Sequence, residues 1–237
     1  MTEESAVNSE QAPSALALLP ELLSSPSSAL DKIWRFGAPW WLPLIIVCGI
    51  TSLTWVLYYA QLDYEWFMDY NTSSLSGDEK AQAMEGMQKM SSNTLAGITV
   101  GSIVIMVFIY SLISAGYLLL VNRVSGTQPR DFKEWLTIST WVGLPTVFIA
   151  VGGMLVLMMS GSGELAPEAL SLTNLNNLVF HATKTDALFA FYNTLDVISF
   201  WSIALLAFAL IKNGQSKIAA GIIAIAPQLI ISGLALL

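Results

Sequence analysis

Charge is scarce in this sequence. Only 11% of its 237 residues are Asp, Glu, Lys or Arg, while 54% are hydrophobic; a soluble domain carries roughly 25% charged residues. A water-soluble fold does not fit that balance. The ten basic residues are scattered and the net charge is −7, whereas a phosphate-binding surface needs Lys and Arg gathered on one face. Nucleic acid is therefore not an expected partner. Cysteine and histidine occur once each. Cys48 stands alone in an apolar run, which excludes an intramolecular disulfide and a thiolate metal cluster, and it reads as lipid-facing or packed. His181 has no second His or Cys with which to complete a metal site, and it reads as a solvated loop residue. The chain also has no Gly-x-Ser-x-Gly elbow, Walker loop or dinucleotide fingerprint. No catalytic residue, metal site or cofactor is expected, and an enzyme is not the expected function. A basic n-region is missing too. Glu3, Glu4 and Glu10 occupy the start and the first long apolar run begins near Trp40, so that run is expected to remain in the mature protein.

What the chain does have is five long apolar runs, approximately Trp40 to Ala60, Leu95 to Val121, Leu136 to Met159, Leu188 to Ile211 and Ile218 to Leu237. At 1.5 Å per residue each can cross a hydrocarbon core of about 30 Å. Strands are excluded as the spanning element, because the runs are continuous rather than alternating and an open sheet edge in lipid would leave backbone groups unsatisfied. The expected fold is all-α, a polytopic membrane helical bundle with five transmembrane helices. Trp40, Trp41, Tyr58, Tyr59, Trp66, Trp135 and Trp141 lie near run ends, where amphipathic rings favour the headgroup level, and they read as interface anchors. Residues 1–38 read as a disordered tail followed by a short surface helix. Ala15 to Leu23 is too short to span and is interrupted by Pro20. Ser25 is the expected N-cap and Pro26 the first helical residue, with Leu30, Ile33, Trp34 and Phe36 turned to the membrane surface. Residues 39–237 form the membrane domain.

Orientation follows from the basic residues, which cytoplasmic flanks retain. Lys32, Arg35, Arg123, Arg130, Lys133, Lys212 and Lys217 fall on one side, and Lys80, Lys89 and Lys184 on the other. Seven against three, with an odd number of spans, predicts a cytoplasmic N-terminus, an external C-terminus and no soluble domain after the last span. In the first outer loop, Ser76 to Glu79 match a capping box, and Ala81, Met84, Met87 and Met90 recur every three residues, which predicts an amphipathic helix with a packing role for its Met side. Asn71, Thr72 and Ser73 form a glycosylation sequon that would matter only in a eukaryotic secretory membrane.

Three features could carry more than packing. Gly97 and Gly101 form a GxxxG pair, a candidate close helix contact within the chain or between protomers. Pro145 and Pro227 lie within the third and fifth runs and are expected to bend their helices and free a carbonyl. The expensive residue is Asp196. Val197 to Ile211 gives only about 22 Å of helix, so the fourth span is expected to extend back past Asp196, and an intramembrane carboxylate is by default a candidate functional site. Asn193 and Ser199, three residues to either side, lie within about 120° of the same helix and could share its hydrogen bonds. The alternative is a structural carboxylate at the outer interface.

The segment "LDVISFWSIALLAFALIKNGQSKIAAGI", Leu195 to Ile222, together with "SSPSSALDKIW", Ser24 to Trp34, and "PWWLPLI", Pro39 to Ile45, resembles the bacterial branch of the Yip family, the Ypt/Rab-interacting proteins. The third run with Trp141 and Pro145 fits as well, so the resemblance spans roughly residues 24–237. It implies five spans with a cytoplasmic N-terminus. Eukaryotic members bind Rab GTPases and shape early secretory membranes. This chain lacks the Asp-Leu-Tyr-Gly-Pro element that precedes their first span, so Rab binding is not carried over. The expected location is a bacterial inner membrane, or a secretory-pathway membrane if the source is eukaryotic. Besides the lipid bilayer, a membrane-protein partner or a second copy of the chain is expected. Two functions follow: a non-enzymatic membrane scaffold or interaction protein, or a small-solute or ion transporter or channel using Asp196. A transporter requires polar groups from at least two spans converging on Asp196, and a scaffold requires Asp196 at the interface or in a local cap.

Overall fold

A computed structural model describes residues 12–236. The N-terminal residues Glu3, Glu4 and Glu10 and the C-terminal Leu237 lie outside the described residues. Among those described, the chain is helical throughout, with one isolated antiparallel bridge between Asn174 and Asp196. The helices are α1 (Ala15–Ser24), α2 (Pro26–Phe36), α3 (Trp41–Gln61), α4 (Tyr64–Thr72), α5 (Gly77–Gln88), α6 (Ser92–Ser125), α7 (Phe132–Val142), α8 (Val147–Ser160), α9 (Phe189–Thr194), α10 (Val197–Lys212) and α11 (Lys217–Leu234).

Among the described residues, four helical segments are long and apolar enough to cross a membrane: α3, α6, the α7–α8 pair and α11. Helix α10 is a shorter apolar helix of 16 residues. The expected continuous fourth span over 188–211 is therefore corrected. The helix begins at Val197, with Leu195 and Asp196 extended before it. In the third run, Pro145 sits in a 3-10 turn (Leu144–Thr146) that separates α7 from α8. It interrupts the α-helix within that span, because a proline ring cannot share space with the carbonyl four residues back. Pro227 does lie inside α11. It removes the N–H that would bond the Ile223 carbonyl, and that carbonyl accepts instead from the Tyr117 hydroxyl of α6 at 3.0 Å. The missing bond thus becomes a tie between two spans.

Chain ends of helices follow the sequence closely. Ser91, Asp131 and Ser216 cap α6, α7 and α11 through their side chains, and the Asp131–Glu134 pair forms a reciprocal capping box, each such cap contributing about 1 kcal/mol. Ser25 and Ser76 stand at the N-cap positions of α2 and α5, but neither side chain makes a cap bond. Helix α6, ended by Gly126 at φ +65°, is about 51 Å long at 1.5 Å per residue, so it projects well past a hydrocarbon core.

The main core contradicts two expectations. Leu18 and Leu22 of α1, and Leu30 and Ile33 of α2, are fully buried with Trp135, Ile138, Trp141, Leu205 and Leu210. Residues 15–36 therefore form a helical hairpin docked on the bundle, with Pro20 inside α1, rather than a disordered tail and a helix lying on the bilayer. Trp135, Trp141 and Tyr58 are buried in protein, not anchored at headgroups. Large rings placed where helices cross gain more from protein packing than from the interface. A second cluster, Tyr58, Tyr59, Phe67, Leu157 and Leu170, joins α3, α4 and α8 at the opposite end of the bundle. Met87 of α5 packs on it, and its carbonyl accepts from the Tyr64 hydroxyl at 2.7 Å.

Candidate functional site

Asp196 is buried, and both its oxygens are committed. Oδ1 accepts from the Ile198 N–H at 2.8 Å and so caps α10. Oδ2 accepts from the Ser171 hydroxyl at 3.0 Å and the Thr173 hydroxyl at 2.8 Å. The backbone on either side is paired with the same segment: the Leu175 N–H donates to the Leu195 carbonyl at 2.7 Å, and the Val197 N–H to the Thr173 carbonyl at 3.0 Å.

The loop that supplies those donors enters the bundle. A Cβ on Gly153 of α8 would meet the Leu170 carbonyl at 3.0 Å, and one on Gly152 the Leu172 side chain at 3.7 Å. Gly153 lies seven residues before the end of α8, roughly 10 Å along the axis. The loop between α8 and α10 is thus re-entrant, and Gly153 is needed for its close approach. Irregular backbone at this depth must be satisfied by protein, and three asparagines do so. Asn174 Nδ2 donates to Asn193 Oδ1 and its own Oδ1 accepts the Asn177 N–H; Asn177 Nδ2 reaches the Glu168 and Ser171 carbonyls; Asn176 pairs with both backbone groups of Ala182. Phe180 stacks on Tyr192 at 3.9 Å. Asn193 therefore joins the Asp196 network, through Asn174. Ser199 does not; it lines a cavity deeper in the bundle. His181 is exposed at a positive φ of 50°. Among the described residues there is no group of three or more His, Cys, Asp and Glu placed to hold a metal ion.

The rim of this cap carries a second cluster. Glu168 accepts from the Tyr70 hydroxyl at 3.2 Å and faces Lys184 Nζ at 3.8 Å, and Lys184 sits 3.5 Å over the Tyr70 ring. Burial, and then the Glu168 charge and hydrogen bond, push the Tyr70 phenol up to about 12. Burial holds the Lys184 ammonium below its ordinary value despite Glu168. The trio ties the α4 loop to the re-entrant loop.

At the other end of the bundle lies a polar clasp that sequence reasoning missed. Asn213, fully buried after α10, accepts from Arg130 Nε at 3.0 Å and donates to the Gln128 carbonyl and to Thr127. Asn122 of α6 accepts the Arg130 N–H at 3.0 Å and donates to Thr127 and the Gln128 carbonyl. The Arg130 guanidinium also pairs with Glu134 at 2.8 Å and covers the Trp34 ring at 4.5 Å. Trp34 stands edge-on to Trp135 and donates to the Ala209 carbonyl, while Lys212 pairs with Asp31 at 2.7 Å. Two inter-helix turns and the α1–α2 hairpin are thereby locked together at the face that collects Lys32, Arg130 and Lys212. The available signals were Asp131-x-x-Glu134 and an asparagine at the end of each of two apolar runs. Gly97 and Gly101, by contrast, are exposed with nothing within 4 Å of an added Cβ, so they make no close contact within the chain.

The family model for the Yip1 domain matches residues 21–237. The chain belongs to the Yip family. Both the docked hairpin from Glu21 onward and the whole five-run region fall inside the match. A curated relative, membrane protein YknW of Bacillus subtilis, is 28% identical over 201 residues, covering 84% of this chain and 80% of the relative. No solved structure matches. Family membership and the apolar helices make this Yip-family chain a multi-pass membrane protein.

Proposed function

We propose that this protein is a non-enzymatic scaffold or interaction protein of a bacterial inner (cytoplasmic) membrane, crossing it five times with the N-terminus and the clasp on the cytoplasmic side. One observation carries the reading: Asp196, the one buried carboxylate among the described residues, is consumed by a local cap, with Ser171, Thr173 and the Ile198 N–H as its partners. A transporter needs a carboxylate free to bind a cation or cycle a proton, and no observation favours that alternative. The re-entrant loop supports the fifth crossing. Helix α10 covers about 24 Å and the Asp196 cap fills the remaining depth. On the other face, the preordered hairpin supports a platform for a membrane-protein partner. A bacterial membrane leaves no role for a Rab GTPase. The exposed Gly97/Gly101 face of α6 is the place where a second copy would pack.

Topology is tested by reporter fusions after Lys133 and Lys217, which should score cytoplasmic, and after Glu85 and Lys184, which should score external. A cytoplasmic score after Glu85 removes the assigned orientation. Function is tested in proteoliposomes loaded with a pH dye or radiolabelled cations. The scaffold reading expects no flux above empty vesicles, and a flux abolished by Asp196→Asn in a folded protein would replace it with the transporter. Affinity purification from native membranes should then recover the same partner with wild type and lose it with Trp34→Ala, which undermines the platform.

A further inference from the structure

Seven hydroxyls line one cavity inside the bundle; Tyr117 and Thr146 give theirs to backbone carbonyls, and five are left without a partner among the described residues. Tyr110 and Ser114 of α6, Ser139 of α7, and Ser199 and Ser202 of α10 line a space of about 120 Å3 against α11 at Pro227. None of the five makes a hydrogen bond to another described residue, and the Oγ atoms of Ser139 and Ser202 are shielded from solvent as well. This differs from the treatment of other hydroxyls on the spans: Thr54, Ser111, Thr137 and Thr140 each donate to a carbonyl three or four residues earlier. An unpaired hydroxyl in an apolar medium costs roughly 1–3 kcal/mol, so the two shielded serines, with three more free hydroxyls on the same wall, call for a hydrogen-bonding occupant.

A second cavity of about 340 Å3 adjoins the first, with Tyr110, Ser139, Gly143 and Thr146 in both walls. Its remaining wall is Pro43, Leu44, Val47, Met106 and Val107 together with Ser111 and Thr140, whose hydroxyls are already bonded. Neither wall contains Asp, Glu, Lys, Arg or His. Tyr110 lies near the middle of α6 and Pro227 near the middle of α11, so the pair is set at mid-bilayer depth, where a charged end group is costly.

We propose that the paired cavity binds an uncharged amphiphile: an apolar chain ending in a hydroxyl or carbonyl oxygen. The oxygen end sits among the five hydroxyls, which can both donate and accept, and the chain lies against Val47 and Met106. The site is separate from the Asp196 cap and does not depend on the scaffold reading.

The test uses the full chain in phosphatidylcholine nanodiscs and three photoreactive probes carrying the same mid-chain diazirine: a hexadecanol, a palmitate and a hexadecane. The expected result is adducts on the partly buried Val47, Val107 or Ser139 with the alcohol, about tenfold above either other probe, the ratio that one to two net hydrogen bonds supply. Unlabelled hexadecanol should compete. The double variant Ser139→Ala with Ser202→Ala loses no protein hydrogen bond, so its melting temperature should hold while labelling falls about tenfold. If that variant unfolds, Ser114→Ala carries the same expectation at about fivefold. Equal labelling by the three probes overturns the proposal. So do adducts confined to the exposed Ile105, Ile109 and Ile113 of α6, since these would report bulk lipid.

Discussion

Replacing Asp196 by leucine separates a capping role from every other. The substitution removes the acceptor for the Ile198 N–H, a helix cap worth about 1 kcal/mol. It also strands the Ser171 and Thr173 hydroxyls in a protein interior, at roughly 1–3 kcal/mol each. The total is about 3–7 kcal/mol, or an apparent melting temperature lower by roughly 6–28 °C for a chain of this size. Asparagine keeps the shape and one acceptor oxygen, and hydroxyls can rotate to accept from its amide, so Asp196→Asn should cost only about 1–2 kcal/mol. Both are read by thermal unfolding of purified protein in a single detergent. The decisive comparison is a rescue. Adding Ser171→Ala and Thr173→Val to the leucine variant removes the stranded donors and should recover about half of the loss, because apolar replacement of both partners is far cheaper than removal of one. A leucine variant within about 1 kcal/mol of wild type would refute the reasoning, as would a triple variant no more stable than the single one.

Three further expectations follow from the structure. Tyr117→Phe should cost about 1–2 kcal/mol by exposing the Ile223 carbonyl, and in a Pro227→Ala background, where the helix supplies its own donor, the cost should vanish; equal costs in both backgrounds would deny the tie. Gly97→Ile and Gly101→Ile should leave the melting temperature of the monomer unchanged, since an added Cβ meets nothing within 4 Å of the chain at either position, while lowering the dimer fraction seen by light scattering; a destabilised monomer would mean that the second span packs otherwise. The Tyr70 phenol should titrate at about 12, against an ordinary 10, read as the alkaline absorbance change missing from Tyr70→Phe. Its folded value is raised, so its contribution to stability is present below 10 and is lost as the pH rises toward about 12. Glu168→Gln should move it only part of the way back, because burial is the first cause.

The sequence by itself determined the secondary structure and the solvent. Continuous apolar runs without alternation can satisfy their backbones in lipid only as helices, and Ser25–Pro26 and Ser76–Gly77 marked helix starts because such signals are local in the chain. The family resemblance was legible for the same reason, being carried by contiguous segments. Tertiary structure decided everything that depends on what a run faces. Hydropathy cannot tell Trp135 and Trp141 in a protein core from rings at an interface, nor Leu18 and Leu22 docked on the bundle from a solvated tail, because the side chains are the same and only the neighbour differs. Asp196 shows the same limit. Read along the chain, it had to lie within a helix, since α10 alone is too short to span. In three dimensions, Ser171 and Thr173, more than twenty residues earlier, fold back into the bundle beside a glycine that leaves them room, and the residue priced as a buried charge becomes the acceptor that ends a re-entrant loop.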